Sequence, residues 1–225
     1  MKLRVSFFVL LVGLALTGCH RIGAYSATAE VTFRLQPDLH DPDNPVATPA
    51  EQIQRHLGLI ESPGLLSPVI TDLNLNHIWA KRLGKDTALS REEALRYLTE
   101  KLKLENPPDT TIIRITAFGD TPREAADIAN AIADRYKKLL DVTQETLRKS
   151  EVTVTKDLIA QDEVQLKDLQ AKATENPTNT SLQESRDNVQ RVVDALKGKL
   201  QQFGNPSEPA PGSVEILSRA VAPLE

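Results

Sequence analysis

Four histidines, His20, His40, His56 and His77, are the residues of this chain best suited to metal or acid–base chemistry. None stands at HExxH or HxH spacing to another, so a structural or surface role is the reading for each. The acidic stretch Asp38 to Asn44 offers oxygen ligands of the kind calcium prefers. Counted from Asp41, however, the required glycine falls on Val46 and the closing glutamate on Gln52, so the calcium-loop pattern fails. There is no GxSxG elbow and no Walker A phosphate loop, and the paired carboxylates Glu92 and Glu93 stand at a predicted helix start, where capping accounts for them. Trp79, the single tryptophan, lies between Leu75 and Leu83 and reads as a core anchor rather than a ligand platform. These residues predict a protein with no catalytic site, no bound metal and no cofactor.

One residue does carry an expected covalent chemistry. Cys19 is the only cysteine, and it closes the segment Leu16, Thr17, Gly18, Cys19 behind an apolar run from Val5 to Thr17 with Lys2 and Arg4 ahead of it. A short apolar run behind positive charges is the build of a signal peptide, and about 20 residues are needed to span a bilayer. The segment resembles a bacterial lipoprotein signal. That resemblance implies cleavage before Cys19, a diacylglyceryl group on its thiol and an acyl group on its amine, so that residues 1–18 are a signal peptide and Cys19 is the lipidation site.

No thiol then remains for a disulfide or a thiolate metal site, and packing must supply stability. The formal charge is -4 and becomes more negative when Lys2 and Arg4 leave with the signal. No basic surplus exists to displace counterions from phosphates, which argues against a nucleic-acid partner. Aromatic residues make up only 4% and charged residues 26%, a balance that suits long solvated helices beside a small packed base.

The elements follow from periodicity. Tyr25, Ala27, Ala29, Val31, Phe33 and Leu35 alternate with polar residues, which predicts a half-buried strand, and the proline-bearing stretch Pro37 to Thr48 reads as a loop. Thr48 to Glu51, Ser90 to Glu93 and Thr121 to Glu124 each have the form of a capping box opening a helix. The second of these helices is expected to show the apolar face Ala94, Leu95, Leu98 and Leu102, and Thr110 to Phe118 is a β-branched run expected as a second strand.

From Pro122 no glycine or proline interrupts the chain before Pro177, which predicts one very long helix. Its first part is apolar at Ala125, Ile128, Ala129, Ile132 and Tyr136, a face fit to pack on a sheet. Farther on, Val152, Ile159, Leu166 and Ala173 recur every seven residues, and after Asn176 to Thr180 a second helix repeats Leu182, Val189, Leu196 and Phe203. This pattern predicts an antiparallel helical hairpin over 147–203. The proline-rich stretch 204–212 is a linker, and Val214 to Val221 reads as a returning strand able to pair with the first. The expected fold class is thus α/β: a small sheet-and-helix base over 19–146, a projecting hairpin over 147–203, and a returning strand of the base in 213–225.

The order of these segments resembles the polysaccharide co-polymerase family, the Wzz-type chain-length determinants of O-antigen, capsule and exopolysaccharide assembly. Residues Tyr25, Ala27, Ala29 and Val31 carry the likeness first, then Ser62, Leu65, Pro68, Val69, Ile70, Leu73, Leu75 and Trp79, then Ser90, Glu93, Ala94 and Leu95. They are followed by Asp109, Thr110, Ile112, Ile113 and Ile115, by the more specific Pro122, Ala125, Ala126, Ile128, Ala129, Asn130, Ala131 and Tyr136, and by Val214, Ile216, Leu217, Ala220 and Pro223. The likeness covers about Tyr25 to Leu147 and Val214 to Pro223, with the hairpin matched in length and character. It implies a base near a membrane, a helical projection, homo-oligomers that influence polymer length or export, and no catalytic residues. A polysaccharide polymerase or export machinery would be the candidate partner. Relatives usually carry two transmembrane helices; here a lipid anchor stands in place of the first, and the second is missing. A structural or adaptor lipoprotein of the cell envelope is the alternative reading.

Overall fold

The computed structural model describes residues 23–35, 48–204 and 213–224. The strands are β1 (Tyr25–Phe33), β2 (Leu102–Glu105), β3 (Ile112–Gly119) and β4 (Val214–Ser218). The helices are α1 (Pro49–Glu61), α2 (Pro63–Asp72), α3 (Leu75–Arg82), α4 (Arg91–Glu100), α5 (Pro122–Glu175) and α6 (Thr180–Gly204). The strands form one antiparallel sheet in the order β2-β3-β1-β4, so the first strand does pair with the last, with a bulge between Glu30 and Val31.

One sheet face is apolar and buried. Ala27, Ala29, Val31 and Phe33 from β1 meet Ile113, Ile115 and Ala117 from β3, and the start of α5 lies on them with Ala125, Ile128, Ala129, Ile132 and Tyr136. Small residues on both sides bring helix and sheet close. Helices α1 to α4 close the core around Ile60, Leu66, Trp79 and Leu98. The other sheet face carries polar side chains. Thr28 pairs with Thr116 across the strands at 2.7 Å, and Glu30 accepts from Arg114 at 2.9 Å. An antiparallel sheet with one wet face has this alternating pattern.

Several expectations need correction. Leu102 does not extend the apolar face of α4; that helix stops at Glu100, and Leu102 opens β2, a strand the periodicity did not reveal. Its side chain faces the core all the same, opposite Ala117. The strand expected over Thr110 to Phe118 is β3, and it begins at Ile112 rather than Thr110. Thr110 belongs to the turn, where its hydroxyl donates to the Pro107 carbonyl at 2.8 Å. The returning strand ends at Ser218 rather than Val221, because the Asn130 carboxamide captures Ala220. Its oxygen accepts from the Ala220 N–H and its nitrogen donates to the Ala220 carbonyl, both at 2.9 Å. That amide gives residue 220 the two bonds a neighbouring strand would have given.

The capping boxes at Thr48 and Ser90 are closed on both sides. At Thr121 only half the box forms: the Thr121 hydroxyl accepts from the Glu124 N–H at 3.1 Å, but the Glu124 carboxylate turns elsewhere.

Candidate functional site

Glu124 turns into the base. Its Oε1 accepts from the Trp79 indole N–H at 2.7 Å, and its Oε2 accepts from the Arg82 guanidinium at 2.5 Å and from the Asp120 N–H at 3.1 Å. Arg82 also reaches Asp120 at 3.1 Å, and the other oxygen of Asp120 accepts from Lys101 at 3.1 Å. Lys101 is 1% exposed and its ammonium lies 5.1 Å from the centre of the Tyr97 ring, which in turn meets Trp79 edge-on at 4.9 Å. Two carboxylates thus meet two cations, and each charge has a partner. No nucleophile stands beside a base here. What the cluster can do is pin the first turn of α5 to α3 and α4. Sequence reasoning missed it because the partners lie 19 to 45 residues apart; only the tryptophan hinted at a buried anchor.

A second polar contact marks the place where α5 leaves the base. The buried Tyr136 hydroxyl lies 2.7 Å from His56 Nδ1, and the His56 ring stacks 4.1 Å from that of Phe33. Burial pushes the Tyr136 phenol up, so it stays protonated beside the imidazole. Burial, and then the nearby Arg55 charge, hold His56 below the ordinary histidine value. His77 is exposed, and His20, His40 and Cys19 lie outside the described residues. Glu93 caps α4 as the sequence predicts, and its carboxyl is held down at about 2 by Lys85 and by the Ser90 amide and hydroxyl. Among the described residues, no three His, Cys, Asp or Glu side chains gather as a metal would require.

Beyond Leu140, which still touches the core, α5 continues outside the base for some 35 residues, a rise of about 50 Å. Helix α6 returns along it. Ile159, Leu166 and Ala173 are buried against α6 at the predicted seven-residue interval, with Val152 half-buried. Thr155 lies buried in the same seam, so the interval is 3 and 4 in alternation, as in a two-helix coiled coil. On α6, Leu182, Val189, Leu196, Leu200 and Phe203 are half-buried and Val193 is the deepest, at 1% exposure. Ion pairing between Lys197 and Glu163 at 2.8 Å joins the two helices outside the seam. On the flank of α5, Leu147, Val154 and Leu158 remain 44% to 56% exposed at spacings of seven and four, a narrow apolar stripe that α6 does not cover.

No helix among the described residues is long and apolar enough to cross a membrane. No protein-family model matches the chain, and no curated protein matches it at a significant level.

Proposed function

We propose that this protein is a lipid-anchored, non-enzymatic component of bacterial surface polysaccharide assembly, which modulates chain length or export as a homo-oligomer. The observation that carries the reading is the form of α5. One uninterrupted 54-residue helix begins packed on a small antiparallel sheet and ends as half of a hairpin far outside it. A reach of this kind serves contact with something large rather than enclosure of something small. The ordered likeness to Wzz-type chain-length determinants, in sequence segments now seen to be β1, α2–α3, α4, β3, the start of α5 and β4, supports the same reading. So does the apolar stripe at Leu147, Val154 and Leu158, which a neighbouring hairpin could cover.

In this reading Cys19 carries the lipid, and the base sits close to the membrane because Tyr25 opens β1 only six residues later. The anchor orients the molecule in the cell envelope, facing the periplasm, and the hairpin reaches a polysaccharide polymerase or export machinery. A Cys19→Ser variant should leave the washed membrane fraction and lose palmitate labelling. Deletion of the gene should change the amount or the length distribution of extracted polysaccharide. An unchanged polymer profile in the deletion strain would favour a structural or adaptor lipoprotein.

A further inference from the structure

Among the described residues the sheet has four strands that alternate strictly in direction, so its two edges, β2 and β4, run opposite ways. Two copies standing side by side in the same orientation would therefore bring β4 of one against β2 of the next as an antiparallel pair. The backbone alternation of each edge can be read from the bonds made inward. The Phe118 N–H donates to the Lys101 carbonyl at 2.8 Å, so Lys101, Lys103 and Glu105 face β3, and Leu102 and Leu104 present their backbone groups outward. On the other edge the Arg34 N–H donates to the Ser213 carbonyl at 3.0 Å, so Ser213 and Glu215 face β1, and Val214 and Ile216 point outward.

One register satisfies every constraint at once. Leu102 opposite Ile216 and Leu104 opposite Val214 match outward backbone groups to outward backbone groups. The same register keeps these four apolar side chains on the helix-covered face, where all are buried or packed against the core. It also sets Lys103 directly opposite Glu215 on the wet face, where both are exposed and opposite in charge. A shift by one residue would break all three matches. Among the described residues, an open groove of about 620 Å³, lined by Glu215 to Arg219 with Asp134 and Lys137, runs beside β4.

We infer that the β4 edge of one copy pairs with the β2 edge of the next, with Lys103 against Glu215, so that the sheet continues from subunit to subunit. This deepens the homo-oligomer reading and rests on it. The contact is head-to-tail, so it builds a ring where the rotation closes. Every copy also keeps the same end toward the membrane, as N-terminal lipid anchors demand.

The test is disulfide trapping in membranes that hold the full-length protein. Lys103 and Glu215 would form a non-hydrogen-bonded pair with Cα atoms about 4.5 Å apart, within the span of a disulfide. A Lys103→Cys/Glu215→Cys double variant should therefore give, on mild oxidation, a ladder of covalent multimers beyond the dimer, which neither single variant gives. A Lys103→Cys/Ile216→Cys pair, with its side chains on opposite faces, should give no ladder. Independently, Lys103→Glu should lower the oligomer fraction seen by light scattering in detergent, and adding Glu215→Lys should restore it. If the wild-type protein is oligomeric but the first pair yields no ladder or only dimers, the edge pairing is wrong and the homo-oligomer reading stands. A wild-type protein that is monomeric in detergent, with no ladder in membranes, overturns both.

Discussion

Replacing Glu124 with alanine should destabilise the base more than any other single change at a charged residue. The carboxylate is 9% exposed and accepts three bonds. Its removal leaves the buried Trp79 indole N–H without its acceptor, a cost of about 1–3 kcal/mol. It also removes one of the two carboxylates that hold Arg82. That side chain is 34% exposed and can turn to solvent, so this loss falls below the about 3–5 kcal/mol of a fully buried broken pair. Together these give about 3 kcal/mol, or a fall in Tm of about 6–12 °C for a chain of this size. Glu124→Gln keeps an oxygen for Trp79 but sets an NH2 where Oε2 accepted from Arg82 and the Asp120 N–H, so it should cost less than alanine but remain destabilising. Trp79 is the only tryptophan, so its fluorescence during urea or thermal unfolding reports on this very cluster. Alanine within about 0.5 kcal/mol of wild type, or glutamine as damaging as alanine, would refute the assignment of the cluster as the pin of α5.

Acid should loosen the junction at Tyr136. His56 has its folded pKa below the unfolded value of about 6.5, so its contribution is fully present above that pH and is lost as pH falls toward the folded pKa. His56→Gln should flatten the Tm slope between about pH 7 and pH 5, and an unchanged slope would clear His56 of the effect. Val193→Asp buries an unpaired charge in the hairpin seam, at a cost of about 3 kcal/mol or more. Far-ultraviolet circular dichroism should lose helix in this variant while the Trp79 transition stays in place. Gly119→Ala would set a Cβ 2.6 Å from the Ala125 backbone nitrogen, a clash the first turn of α5 cannot avoid. It should cost about 1–3 kcal/mol by urea titration.

The long elements were legible because their signals are local and repeated. The alternation in β1, the uninterrupted run from Pro122 and the seven-residue interval through Ile159, Leu166 and Ala173 each specify one geometry over many residues. β2 was not legible, since four residues behind a helix read equally well as one more helical turn, and only pairing with β3 decides for the strand. The end of β4 depended on one distant amide, Asn130, which no pattern near Val214 could announce. The ionic cluster was hidden for the same reason. Glu124 has the spacing of a capping carboxylate, and its true partners lie on α3 and in the turn before α5. The Val193 position was missed because a strict count of seven from Leu182 follows only one of the two seam rows.

The most direct measurement of the central claim is the length profile of surface polysaccharide in a deletion strain complemented with matched amounts of variant protein. Leu196 and Leu200 both face the seam of the hairpin, and changing both to aspartate should shift polymer length or export while membrane attachment persists. Glu92→Ala and His77→Ala, on the exposed surface of the base, should leave the profile as in wild type. Complete loss of the polymer phenotype from either of those single polar changes, in protein that is folded and oligomeric, would contradict a function carried by the hairpin and point to a chemical site in the base.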